Sequence, residues 1–386
     1  MQTIDFMNTR RLCIDATSLD MNASKRGIGF YVKTLLDGLG VGTQFWQNAC
    51  TLRFWPAAEL ERDETITLPI GKLPERIFWL ASAAMLGRTL QNRGVEIFHS
   101  THPYHTPISR KFKTVATVYD LIPLIYYNDY LKSKRANAKL SYNYYLHQLK
   151  RADHLIAISD QTKNDCTKYL GIPPDRITSI HLAIDSNLFR PLSKDQGLAE
   201  IQTRHGLPKK FFLYVGGADF RKNLKTLVNA YGSIADQAEE DLVLVGSWNS
   251  QWVESMRTQL QKLRLASRVR FLSFVPSSEL PALYNLATAL VFPSLYEGFG
   301  LPVLESFSCG TPVLCSNTSS LYEIANGSAL LVDPLNVQEI ADGMNRLASD
   351  HRLCAQLKVS GMAKAREFSI KRMSQKTLEV YRTLGL

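Results

Sequence analysis

The sequence predicts an α/β protein of two domains, each a parallel sheet wound with helices on both faces. Short apolar runs rich in Val, Ile, Leu and Phe alternate with stretches of helical period from Arg11 onward. The alternation continues through both halves of the chain, as a pair of doubly wound sheets requires. At 386 residues the chain also exceeds what one core organises, because single cores stop growing beyond roughly 250–300 residues. The expected division is a first domain over 1–190, a second over 191–366 and a closing helix over 367–386, with the linker at Arg190 and Pro191.

In the first half, Arg11 to Asp15 reads as a strand. Gly27 and Gly29 then open a helix whose apolar residues Phe30, Val32, Leu35, Leu36 and Leu39 recur at helical spacing. Ala49 to Trp55 is strand-like, Glu75 to Arg93 has the helical period, and Val95 to His99 is a strand. The loop after it holds His102 and His105 beside His99, but no carboxylate or cysteine completes a metal-ligand set, and Pro103 and Pro107 oppose a chelating geometry. We therefore read the loop as lining a cleft at a strand's carboxyl end, and expect no metal. Thr114 to Leu124 reads as a strand carrying Tyr119 and Asp120. Leu131 to Arg151 is a basic helix with six Lys or Arg, no acid, and Tyr142, Tyr144 and Tyr145 interleaved, a composition suited to a solvated face or to anionic lipid headgroups. Ala152 to Ser159 is a strand followed by a helix, and Asp175 to Asp185 closes the half.

The second half opens with a strand, Phe211 to Val215, that runs into Gly216 and Gly217. Arg221, Lys222, Asn223 and Leu224 then open a helix ending near Tyr231. Two cations at a helix head after a glycine turn form a phosphate site: arginine binds bidentately, lysine adds a point charge, and helix N–H groups complete the cradle. Asp241 to Gly246 and Val269 to Pro276 are strands, and Val275 lies at a strand's carboxyl end, where a nucleotide base would fall. A helix runs from about Ser250 to Leu265 and another from Leu280 to Ala287. Ala289 to Phe292 is a buried strand stopped by Pro293. After it, Gly298 and Gly300 bracket Phe299, and a short helix from about Pro302 to Cys309 ends at Gly310. Glu297 in that loop and Glu305, placed in the first helical turn, flank a helix N-terminus suited to a phosphate or sugar hydroxyl. Thr311 to Cys315 makes a further strand, and the tail from Val337 has helical spacing throughout.

The string EGFGLPVLESFSCGTPV, two glutamates separated by seven residues, resembles the signature of the retaining nucleotide-sugar glycosyltransferases of family 4, the group 1 transferases, and the GIG and DLIP segments together resemble the mannosyltransferases among them. The resemblance covers nearly the whole chain and includes the GIG segment at Gly27 to Gly29, the DLIP run at Asp120 to Pro123 and the RKN string at Arg221 to Asn223. It implies the GT-B fold, two Rossmann-like domains facing across a cleft, with the closing helix crossing back to the first domain. By the same resemblance Glu297 faces the donor sugar and Glu305 holds the ribose hydroxyls, while the amides of Phe299, Gly300 and Leu301 meet the sugar or diphosphate. Arg221 and Lys222, with Gly217, meet the diphosphate, and Gly27 and Gly29 face the donor. Asp120 is retained from a histidine–aspartate pair, whereas Tyr119 replaces the histidine, and a phenol with a reference pKa near 10 is ill suited to accept a proton.

The activity so implied is retaining, metal-independent transfer of a hexose from a nucleoside diphosphate sugar to a hydroxyl of a glycan, a lipid-linked glycan or another acceptor. GDP-mannose is the expected donor, with UDP-glucose or UDP-N-acetylglucosamine as alternatives; no separate cofactor is expected. A sugar-nucleotide epimerase, a sugar phosphorylase or a non-catalytic nucleotide-sugar-binding protein would use the same fold. The net charge is +10, of which residues 1–190 carry +7, with 24 Lys/Arg against 17 Asp/Glu. Such a balance suits phosphorylated ligands or an anionic membrane; no nucleic-acid-binding pattern accompanies it. Six cysteines without paired spacing read as reduced core residues, and no apolar run reaches the roughly 18 residues of a membrane span. The expected location is cytoplasmic, with a peripheral position at the inner face of the membrane as the alternative.

Overall fold

A computed structural model describes residues 11–20, 27–40, 49–53, 65–67, 86–102, 107, 111–193, 197–273 and 275–386. The chain divides into two compact units, one made of residues 1–183 and 370–386 and the other of 184–369. The first contains β1 (Arg11–Asp15), β2 (Ala49–Arg53), β3 (Thr65–Thr67), β4 (Val95–Ser100), β5 (Lys113–Val118), β6 (His154–Ala157) and β7 (Ile177–Ser179). These form one sheet in the order β3-β2-β1-β4-β5-β6-β7, and every pair is parallel. Its helices are α1 (Ile28–Leu39), α2 (helical over 86–92), α3 (Ile122–Ile125), α4 (Tyr127–Tyr130), α5 (Ala136–Arg151) and α6 (Asp160–Leu170). The second unit contains β8 (Phe211–Val215), β9 (Asp241–Val245), β10 (Val269–Leu272), β11 (Ala289–Phe292), β12 (Val313–Ser316) and β13 (Leu330–Val332). They too are all parallel, in the order β10-β9-β8-β11-β12-β13. Its helices are α7 (Leu198–Arg204), α8 (Leu224–Gly232), α9 (Ser250–Lys262), α10 (Leu280–Leu286), α11 (Leu301–Cys309), α12 (Ser319–Ala325), α13 (Val337–Ser349) and α14 (His351–Ala365). In each sheet the strand order reverses beside the first strand, between β1 and β4 and between β8 and β11; in open α/β sheets ligands bind at such switch points.

Several elements differ from expectation for identifiable reasons. The strand at Thr114 stops at Val118, and Ile122–Ile125 is a helical turn, because Pro123 cannot donate to a ladder but fits the start of a helix. β3 and β13 have three residues each, too few to show a period. The tail is three helices, broken where the Asp350 carboxylate caps the Leu353 N–H (2.9 Å) and again at Glu367–Ser369. Tyr142 and Tyr145 of α5 are buried in the core of the first unit with Leu149, Leu155 and Cys166, so they hold the helix to its sheet and leave its basic residues outside. Residues 75–85 of the expected second helix lie outside the described residues, as does His105.

The last helix, α15 (Ile370–Thr383), belongs to the first unit and lies along α1. It buries Met373, Thr377, Val380 and Tyr381, one stripe at helical spacing, and Tyr381 carries a polar tip into the core. There the Tyr381 hydroxyl and His99 Nδ1 are 2.6 Å apart, His99 Nε2 and Thr117 Oγ1 2.8 Å, and Thr117 Oγ1 and the Tyr31 hydroxyl 3.1 Å. Burial pushes the His99 imidazole down to about 3, partly offset by the Asp15 carboxylate, so it is neutral at physiological pH. With both ring nitrogens engaged, His99 is a satisfied core residue and offers no ligand atom. Among the described residues no helix is long and apolar enough to cross a membrane. Tyr381→Phe strands one ring nitrogen of a buried histidine, so the first unit should lose about 1–3 kcal/mol in a denaturant titration. An unchanged midpoint would mean that apolar packing alone holds α15.

Candidate functional site

The second sheet presents its switch point at the carboxyl ends of β8 and β11, and the turns there are built by close approach of backbone. A Cβ on Gly246, after β9, would lie 1.7 Å from the Gly216 carbonyl oxygen, so the turn after β8 exists only because that neighbour has no side chain. Beyond Gly217, Asp219 accepts from the Arg221 N–H (3.1 Å) and folds Phe220–Lys222 into a single 3₁₀ turn. Asn223 follows in the left-handed region (φ 59°) and donates from Nδ2 to the carbonyls of Pro293 (3.0 Å) and Pro334 (2.6 Å). Arg221 and Lys222 therefore stand in a turn ahead of α8 and not at its head, because Asn223 interrupts the helix before it starts. The cost of its unusual backbone is offset by two bonds that tie the turn to the ends of β11 and β13.

On this platform the two cations close on one acid. Lys222 Nζ is 2.6 Å from Glu297 Oε1, and Arg221 Nη1 is 2.7 Å from Glu297 Oε2 and 3.1 Å from the Tyr296 carbonyl. Lys222 also sits 4.9 Å above the centre of the Phe292 ring, which is stacked on Tyr214. Glu297 is 7% exposed. Burial by itself pushes its carboxyl up, but Lys222 and Arg221 beside it more than offset this and hold it below the usual carboxylate range. The result is a largely desolvated cluster in which Arg221 and Lys222 meet Glu297, and Arg221 Nε also lies 3.5 Å from the Asp219 carboxylate, two cations balanced by two acids at a strand end.

The loop that carries Glu297 is pinned by two serines that no pattern in the sequence marks. The Glu297 N–H donates to Ser319 Oγ (3.1 Å), and Ser320 Oγ bonds the carbonyls of Glu297 (2.9 Å) and Phe299 (2.6 Å). Ser319 holds a positive φ of 51°, which no pattern in the sequence signals. Gly300 precedes α11 at φ 124°, and a Cβ there would meet Leu321 at 2.6 Å. Phe299 points into the core against Phe368, so only its backbone faces the site. Glu305 is the fifth residue of α11, one residue deeper than expected since the helix begins at Leu301, and it accepts from the Tyr284 hydroxyl at 2.6 Å. Tyr284 reads in the sequence as mere helix packing; its hydroxyl shows that it orients this carboxylate. Val275 is buried beyond β10, which stops at Leu272 and not at Pro276.

Three expected residues belong to the first unit. Gly27 precedes α1 in the left-handed region and Gly29 is buried in its first turn. Asp120 accepts from the Ile122 N–H (3.0 Å), an acid capping the turn that follows it. Tyr119 donates its hydroxyl to the Thr101 carbonyl (2.8 Å), and burial raises its pKa well above the usual phenol value. It is a positioning group for the loop after β4 and is not a proton acceptor. Glu297→Ala would leave Lys222 without its counter-charge and Arg221 with Asp219 alone, and breaking buried pairs in this way costs on the order of 3–5 kcal/mol. Denaturant unfolding should show a loss of that order, and a loss within that of an exposed pair would refute the pairing.

Two family profiles match the chain, the one for glycosyl transferases of group 1 over residues 199–363 and the one for glycosyltransferase family 4 over residues 49–188. O-antigen chain mannosyltransferase B of Escherichia coli is 32% identical over 62% of this chain and 63% of that protein. The serotype-specific mannosyltransferase WbdA of Escherichia coli is 32% identical over 67% of this chain and 32% of that protein, so the match spans about a third of that longer relative. Among solved structures, the sucrose-phosphate synthase of Thermosynechococcus elongatus superposes with a TM-score of 0.74 at 21% identity, covering 97% of this chain and 99% of that one. HepE of Anabaena, solved in complex with UDP and glucose, gives 0.71 at 17% identity, covering 97% and 100%. At these identities the two structures establish the likeness of fold.

Proposed function

The chain belongs to the group 1 glycosyltransferases of family 4, and from that premise we propose that it transfers mannose from GDP-mannose to a hydroxyl of a glycan or lipid-linked acceptor, with retention at the anomeric carbon. The observation that carries the reading is Glu297 held between Arg221 and Lys222 at the carboxyl ends of β8 and β11. As the bond from sugar to diphosphate breaks, negative charge grows on the leaving group. Cations fixed in a desolvated site stabilise that charge more in the transition state than in the ground state. Arg221 and Lys222 are positioned for this without a metal, and Glu297 sets their geometry while facing the sugar. Gly217 and the backbone of Phe299, Gly300 and Leu301 border the same place; Glu305, aimed by Tyr284, holds the ribose. The donor thus binds the unit of residues 184–369 and the acceptor the first unit, in which the family resemblance assigns Gly27 and Gly29 to the donor and Asp120 to catalysis. The mannosyltransferase names of the relatives favour mannose; UDP-glucose as donor is the competing reading, motivated by the UDP-bound neighbour.

The first test is a thermal-shift series with GDP, UDP and their sugar conjugates, followed by turnover of Lys222→Ala. Binding the folded state alone raises the melting point, so GDP should stabilise more than UDP. Loss of Lys222 should lower kcat about 10²–10³-fold, the size of losing one transition-state donor. No shift with any nucleotide, or full activity in the variant, would contradict the reading.

The basic face of α5 and the turn before it supports a peripheral contact with anionic lipid. Lys132, Lys134, Arg135, Lys150 and Arg151 are exposed, and Leu140 is 68% and Tyr127 45% exposed beside them. Each basic residue near an anionic bilayer contributes on the order of 1 kcal/mol, attenuated by salt. A Lys132→Glu, Lys134→Glu, Arg135→Glu variant should sediment less than the parent with phosphatidylserine vesicles at low salt. Equal partitioning would reduce the run to an ordinary solvated face.

A further inference from the structure

Three aromatic rings that the diphosphate site does not use stand at the carboxyl ends of β9 and β10, on the same edge of the second sheet as Gly216 and Gly217. Trp248 lies in the loop after β9 and Trp252 in the first turn of α9; their ring centroids are 4.9 Å apart and their planes 13° from parallel. Phe271 of β10 stands nearly perpendicular to both, at 5.9 and 6.1 Å. The Trp248 indole N–H donates to the Leu272 carbonyl at 3.2 Å. Stacked on one side, met at the edge and anchored through its nitrogen, the Trp248 ring has a fixed orientation. All three rings are only half-buried, so the group leaves rigid apolar ring surface in water.

The position of that surface matters. A Cβ on Gly246 would come within 3.0 Å of Trp248 Cη2 as well as onto the Gly216 carbonyl, so Gly246 is a bare spacer between the indole and the glycine turn. The Ala218 N–H donates to the Ser247 carbonyl (3.4 Å), joining the same two loops. Adjacent strands lie about 4.8 Å apart, which sets the end of β10 about 10 Å from the end of β8, the reach of a ribose and base from a diphosphate held at β8.

We propose that Trp248, backed by Trp252 and Phe271, is the platform on which the donor's nucleobase stacks, and is thereby a specificity-determining residue of the donor site; this rests on the nucleotide-sugar reading above. Any base has a π face to offer, but a bicyclic purine covers more of an indole than a pyrimidine does, so the platform favours a guanine nucleotide over a uracil one.

Calorimetric titration of GDP, UDP and inorganic diphosphate into the parent, Trp248→Ala and Trp248→Phe tests this. Trp248→Ala should bind GDP roughly tenfold more weakly, with a smaller change for UDP and none for diphosphate, and Trp248→Phe should keep most of the affinity. Indole fluorescence of the parent should be quenched by GDP and not by diphosphate. Unchanged GDP affinity in Trp248→Ala overturns the proposal while leaving the donor reading intact. So does equal weakening of GDP and diphosphate, which would make Trp248 a shaper of the glycine turn. A parent that binds neither nucleotide overturns the donor reading along with this one.

Discussion

The buried contact of Glu297 with Arg221 and Lys222 is the constraint on which the second unit's site depends. It joins residues 75 and 76 positions apart, from the turn after β8 and the loop after β11, the two strands that flank the switch point. Neither partner is tolerable there alone. A carboxylate this buried would protonate without the cations, and two cations this close would repel without the carboxylate. The supporting bonds follow from that need. Asn223 ties the cation turn to two strand ends, Ser319 and Ser320 fix the acid loop, and Gly246 lets the backbone of β9's exit lie against Gly216. Each places a charge where it is already oriented before any anion arrives, which is how a preorganised site avoids reorganisation during reaction.

The first unit is organised differently. Around its switch point His99 of β4, Thr117 of β5, Tyr31 of α1 and, from α15, Tyr381 form a neutral hydrogen-bonded network, beside the buried Asp15 carboxylate at the end of β1, which accepts from the Thr17 N–H and hydroxyl. A network satisfied internally in this way specifies packing, and it fixes α15 to α1 although the two lie more than 300 residues apart in the chain. The charge-bearing chemistry is concentrated in the second unit, and the exposed basic residues of α5 lie on the surface of the first.

Most of the architecture was legible because buried parallel strands are near-continuous apolar runs, and the glycine turns after β8 and before α11 announce themselves. The RKN string and Glu297 marked two loops that the fold brings together at the carboxyl ends of β8 and β11. What stayed hidden depended on non-local geometry. Nothing in the string around Arg221 says that its cations would close on Glu297, or that Asn223 would take a left-handed backbone and hold them off the helix. Tyr284 and Ser320 look like a packing residue and a turn residue until the chain brings them to Glu305 and Glu297. Trp248 and Trp252 are four apart on an ordinary amphipathic start, and their stacking becomes visible only when β10 delivers Phe271 beneath them. Short strands such as β13 escaped because three residues carry no period.

On the proposed function a nucleoside diphosphate joins the Arg221–Glu297–Lys222 cluster. An anion arriving beside those cations adds negative charge next to Glu297 and shares its partners, so the carboxyl should become easier to protonate. The direct measurement is a pH titration of the Glu297 carboxyl carbon by NMR, with glutamate labelled and the signal assigned through Glu297→Gln, in the absence and presence of saturating GDP. The Glu297 pKa should lie below the usual carboxylate range in the free protein and rise when GDP binds; a titration unmoved by bound GDP would mean that the diphosphate binds elsewhere.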